Sequence, residues 1–145
     1  MRLTILLTAA LTPLAVLAAP VALGARGDKF CAKIFPAPGD AEVKNRHDKF
    51  VDAFLVKKDV ALAFENIAPE YVNHNPFAQN GAAWALNFLK DIWGSQQITI
   101  RRTLYRNNTS WINYDGSWGT IIDRYRWEGG CIVEHWDSGE TWPTS

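Results

Sequence analysis

The chain has 145 residues, enough for one domain with a sizeable core. Its 15 Lys and Arg balance 15 Asp and Glu, which removes the basic surface that a nucleic-acid partner would need. No run of like charge is long enough to form a tail.

The first element in chain order is a targeting segment. Met1-Arg2 precedes LTILLTAALTPLAVLAA, and no further charge occurs until Arg26. A basic start, a short apolar run and small residues at Ala18 and Ala19 describe a secretory signal peptide over residues 1–19. A membrane span needs roughly 20 apolar residues, and this run is slightly short and interrupted by Thr12-Pro13. An uncleaved anchor is the alternative. With the signal removed, a secreted domain of about 125 residues is expected, free of the membrane. Residues 20–41 are rich in proline and glycine and read as a loose N-terminal arm, with the folded domain over 42–145.

From Ala41 the spacing predicts a helix whose inner face carries Val43, His47, Phe50, Val51, Phe54 and Leu55. Asp40 is placed to cap it, and Lys57-Lys58 to end it. Asp59 caps a second short helix with Val60, Ala63, Phe64 and Ile67 on one side, stopped by Pro69. Tyr71 to Pro76 is short, extended and polar. A third helix is predicted from Gly81 to Ile92, with Trp84, Ala85, Phe88, Leu89 and Ile92 as its buried stripe.

After Ser95 the period changes to two. Strands are predicted over 98–106, around Trp111 to Tyr114, over Trp118 to Trp127, and over Ile132 to Asp137, with turns at Asn107-Asn108, Asp115-Gly116 and Gly129-Gly130. Helices followed by an antiparallel meander make an α+β fold.

The last hairpin has two possible registers. A two-residue Gly129-Gly130 turn pairs Asp123 with Trp136. A three-residue Glu128-Gly129-Gly130 loop pairs Asp123 with His135 and Arg124 with Glu134. The second separates the chemistry better. Asp123, Tyr125, Trp127, Val133, His135 and Asp137 then share one face. Arg124, Arg126, Ile132, Glu134 and Trp136 share the other, with opposite charges adjacent.

Two cysteines, Cys31 and Cys131, are expected to pair in an oxidising compartment, two separate buried thiols being the alternative. Asn107 and Asn108 begin overlapping glycosylation sequons. No pair of candidate ligands has a local metal-binding spacing such as His-x-x-x-His, so no metal is expected. No glycine-rich phosphate loop or Ser-His-Asp arrangement occurs.

Tyr71-x-x-His74-Asn75-Pro76, then Gly81 opening a helix, then Asp123-x-x-Arg126 and Gly130-x-Ile132-Val133-Glu134-His135-Trp136-Asp137 together resemble the SnoaL-like polyketide cyclase family of the NTF2-like superfamily. The resemblance runs from about Val43 to Trp142. It implies a cone in which three helices and a curved sheet enclose a pocket. It also implies cofactor-free, metal-free aldol chemistry in which a strand aspartate removes a proton from the carbon beside a carbonyl. Asp123 occupies the matching position. The hairpin departs from the family's usual Asp-Gly-Lys, carrying Gly129-Gly130-Cys131.

On this reading Asp123 is the base, His135 holds it or shuttles its proton, and His74 polarises the carbonyl. Tyr71, Trp84, Tyr125, Trp127 and Asp137 contact a small apolar carbonyl ligand. The structural alternatives are a hydrogen-bonded pair for Asp123, a satisfied buried histidine for His135 and a turn contact for His74. A homodimer through the outer sheet face around Trp136 is also expected, since relatives with this fold commonly associate there. The rival function is a non-catalytic secreted ligand-binding or interaction protein using the same pocket.

Overall fold

The structure, a computed structural model, describes residues 28–144. The segment assigned to the signal peptide lies outside the described residues. No helix among the described residues is long and apolar enough to cross a membrane.

Helix α1 spans Asp40–Val51 and continues into a π-helical turn, Asp52–Val56. Its inner face buries Val43, His47, Phe50 and Val51, as the spacing predicts. Gly39, not Asp40, is the N-cap; Asp40 is the first helical residue, and its carboxylate accepts a hydrogen bond from the Tyr105 hydroxyl at 3.1 Å. The π turn widens the helix where Phe54 faces inward. The Phe54 carbonyl accepts from Trp93 Nε1 at 2.6 Å, and the two rings stack with centroids 4.2 Å apart. Helix α2, Val60–Phe64, is capped by Asp59, whose side chain accepts from the Leu62 N–H at 2.9 Å.

Ile67 does not continue α2, and Pro69 does not stop it. Both lie in strand β1, Ile67–Asn73. A proline is tolerated there because β1 is an edge strand, where the missing N–H removes no interior ladder bond. Helix α3 spans Ala82–Leu89, shorter than the spacing predicts, and a 3₁₀ turn follows at Trp93–Ser95. Its buried residues are Ala82, Ala85 and Leu86. Trp84 and Phe88, expected in that stripe, instead stack on each other at 5.4 Å and line a cavity.

Strands β2 (Thr99–Arg106), β3 (Thr109–Gly116), β4 (Gly119–Glu128) and β5 (Cys131–Trp136) form the expected meander. Strand β1 then adds to β5 in parallel, giving a mixed five-stranded sheet in the order β1-β5-β4-β3-β2. The four-stranded expectation missed this edge. The architecture is α+β, with the helices over one face of an open sheet.

Neither expected register of the last hairpin is the observed one. Glu128 pairs with Cys131 across a two-residue turn in which Gly129 and Gly130 both have positive φ. A bulge then intervenes between Trp127↔Ile132 and Arg126↔Glu134. The extra residue swaps two positions: Ile132 joins the main core, while Val133 packs with Cys31, Ala68 and Cys131. Beyond the bulge, Tyr125 pairs with His135. Asp123 and His135 share a face as expected, but as diagonal rather than opposite neighbours.

Cys31 and Cys131 form a disulfide that ties the N-terminal arm to β5. The arm also makes backbone bonds from Cys31 N–H to the Ile67 carbonyl and from Ile34 N–H to the Gly129 carbonyl. A side chain at Gly129 would meet Lys33 Cβ at 2.9 Å, so the tight turn and the arm fit together through glycine.

His47 is 1% exposed, and neither ring nitrogen has a hydrogen-bond partner. Burial pushes its pKa down from 6.5 to about 4. The folded state therefore holds the ring neutral where the unfolded chain would protonate it. Its contribution is complete above pH 6.5 and is lost as pH falls toward 4, by up to about 3 kcal/mol. Urea unfolding at pH 7.5 and 4.5 should show that loss, and His47→Phe should remove most of it.

Candidate functional site

The helices and the inner sheet face enclose a cavity of about 360 Å³. Its walls are largely aromatic: Phe50, Phe54, Trp84, Phe88, Trp93 and Trp118 all contribute. Phe77, 92% exposed, and Trp118, 59% exposed, line the cavity as well, so its wall reaches the surface. Among the described residues no arginine or lysine lines it.

One polar cluster interrupts this wall. The two-residue period of β4 puts Asp123 and Tyr125 on the inner face, and the β5 bulge brings His135 to the same side. Asp123 is 3% exposed. Its Oδ1 lies 3.0 Å from His135 Nε2, and its Oδ2 accepts from the hydroxyls of Tyr114 and Tyr125, each at 3.1 Å. Burial, and then the nearby Asp123 carboxylate, push both tyrosines well above the ordinary phenol range, so they remain donors at neutral pH. His135 stacks on Tyr125 with centroids 4.8 Å apart, and its Nδ1 lies 3.3 Å from Asn73 Oδ1. Asp137, just beyond β5, lines the same cavity. Its Oδ2 accepts from Asn75 Nδ2 at 2.8 Å.

Six of the eight expected site residues therefore line the cavity: Asp123, His135, Tyr71, Trp84, Tyr125 and Asp137. His74 does not. Its ring stacks on Trp136 at 4.4 Å and its Nε2 lies 2.9 Å from Glu134 Oε2. Arg124 sits over the Trp136 ring at 4.0 Å, completing an outer-face assembly. The His74 hydrogen bond and Arg126 hold Glu134 below the usual carboxylate range. Nor does Trp127 line the cavity. It is buried edge-on against Phe50, and its Nε1 donates to Ser110 Oγ at 2.9 Å.

Sequence reasoning missed Tyr114, Asn73 and Asn75. Tyr114 was detectable in principle, since alternation along β3 puts it on the side of Ile112, which pairs with Asp123. Asn75 was visible as the middle of His74-Asn75-Pro76, but its partner Asp137 lies 62 residues away.

The sequence matches no family model and no curated protein. Solved structures do share the fold. An NTF2-like protein of unknown function from Mesorhizobium loti superposes with a TM-score of 0.57 at 18% identity, over 73% of this chain and 97% of that one. A SnoaL-like protein of unknown function from Burkholderia thailandensis gives 0.57 at 12% identity, over 68% and 94%. An LEH-like epoxide hydrolase from M. tuberculosis gives 0.53 at 14% identity, over 69% and 84%. At such identities the likeness establishes the fold: an NTF2-like cone.

Proposed function

We propose that this protein takes a small apolar carbonyl or polyketide-like compound into the cavity and carries out acid–base chemistry on it: aldol-type cyclisation, isomerisation or dehydration. The observation that carries the reading is the Asp123 carboxylate, buried among aromatic rings with no arginine or lysine among the described residues that line the cavity. The carboxylate lines the cavity, where the carbon-bound proton of a seated ligand can reach it. A carboxylate has about four acceptor sites. Tyr114, Tyr125 and His135 engage three of them, leaving one for substrate. The three donors fix its orientation, and the aromatic walls would hold a flat ligand against it. Asp137 and Tyr71 would contact the polar end of the ligand.

A thermal-shift screen of cyclic and aromatic ketones, followed by product analysis of each binder, tests this reading. Conversion of a bound ketone supports it. Ketones that bind but return unchanged support the second reading, a carrier or sensor. That reading draws on the same three donors, which would suit a fixed polar anchor as well as a base.

We further propose that the protein is exported, consistent with its disulfide, and glycosylated at the exposed Asn107-Asn108 turn. A homodimer through the outer sheet face is also proposed. Arginine–tryptophan stacks dominate that face, with Arg124 on Trp136 and Arg102 on Trp142. Trp142 belongs to the C-terminal segment, whose Glu140 also pairs with Arg124. Sedimentation should therefore show a dimer that Trp136→Ala weakens; a monomer at high protein concentration would contradict it.

A further inference from the structure

We infer that Asp123, His135 and Asp137 form a binding site for a divalent first-row transition-metal ion in the cavity wall. One ligand atom from each residue lies within 4.8 Å of the other two. Asp123 Oδ1 and His135 Nε2 are 3.0 Å apart. That is the separation of two adjacent ligands each ~2.1 Å from an ion and at right angles about it. One imidazole and two carboxylates form a mixed donor set suited to Mn²⁺, Co²⁺ or Zn²⁺. Such a site departs from the metal-free chemistry that the motif resemblance implies.

The remaining polar atoms of these side chains are held from behind. Tyr114 and Tyr125 donate to Asp123 Oδ2, and Asn75 donates to Asp137 Oδ2. Asn73 Oδ1 faces His135 Nδ1. Metal-binding carboxylates and histidines are characteristically oriented by this kind of outer shell. His135 Nε2 and Asp123 Oδ1 face each other at hydrogen-bond distance, and an ion between them would replace that hydrogen bond with two coordination bonds.

Asp137 supplies an independent observation. Its Oδ1 is buried and has no hydrogen-bond partner. A buried carboxylate oxygen left unpaired is costly, and a coordinated cation would remove that cost. Charge points the same way. Two carboxylates meet one imidazole, and among the described residues no arginine or lysine lines the cavity.

This inference does not rest on the acid–base reading. An ion held by Asp123 occupies the carboxylate which that reading assigns to the proton, so added metal should inhibit any such turnover. The test is titration of chelator-treated protein with Co²⁺, followed by visible absorption and equilibrium dialysis, with Zn²⁺ in competition. About one equivalent should bind, giving ligand-field bands that Zn²⁺ displaces. Asp137→Asn and His135→Gln should each weaken binding by at least about tenfold, while His74→Gln on the outer face should not. Circular dichroism checks that each variant is folded. No binding up to millimolar Co²⁺, or binding unchanged in both Asp137→Asn and His135→Gln, overturns the inference. If no metal binds but ketone turnover depends on Asp123, only the metal site fails. If metal binds and no ketone is converted with or without it, only the acid–base reading fails.

Discussion

Cys131→Ala should lower the unfolding free energy by about 4 kcal/mol, measured by urea denaturation without reductant. The disulfide closes a loop with a sequence separation of 100, and cross-linking so long a loop removes much of the unfolded chain's freedom. Native contacts add to this. Cys131 is fully buried, and Cys31 anchors an arm that also carries the Lys33 pairs with Glu70 and Glu128. Those ion pairs are exposed and contribute little by themselves. Cys31→Ala should cost nearly the same, and the double substitution should cost little more than either, because both remove one shared bond. Additive losses would mean that side-chain packing, not the cross-link, carries the effect.

Asp123→Asn should reduce turnover of any converted ketone by about a hundredfold or more, the usual worth of a positioned general base. The amide is nearly isosteric. Its oxygen can still accept from Tyr114 and Tyr125, and its NH₂ can donate to His135 Nε2 once the ring proton shifts to Nδ1, which faces Asn73 Oδ1. Stability should therefore change by no more than about 1 kcal/mol, and ligand affinity should change little, since the aromatic walls remain. His135→Gln should lose less if the histidine only orients the carboxylate, and a comparable amount if it carries the proton onward. Steady-state kinetics with a thermal melt on each variant separate lost chemistry from lost fold.

Much of this architecture is legible in the sequence because burial imposes a period. The inner face of α1 and the alternation along β4 follow directly from apolar spacing. The cysteine pairing follows from their count and from the secretion that the leading apolar segment leads one to expect. What escapes is set by contacts between distant residues. Pro69 reads locally as a helix stop, yet β1 is an edge strand where proline costs little, and only its pairing with β5 reveals it. The bulge that exchanges Ile132 and Val133 leaves no mark beyond a turn of two glycines. Charge separation alone places Asp123 and His135 on one face, and that placement survives the wrong register because the bulge restores the parity. His74 stands in the same motif as Asn75, but the Trp136 ring and Glu134 draw it to the outer face while Asn75 turns to Asp137.

Hydrogen–deuterium exchange into a bound ketone tests the central claim most directly, because it reads proton removal from carbon without requiring the full reaction. In D₂O, a ketone identified by thermal shift should gain deuterium at the carbon beside its carbonyl faster with the protein than in buffer. Asp123→Asn should bring that rate down by about a hundredfold while the ketone still binds. Exchange no faster than in buffer with the ketone bound, or equally fast with Asp123→Asn, would contradict Asp123 as the base.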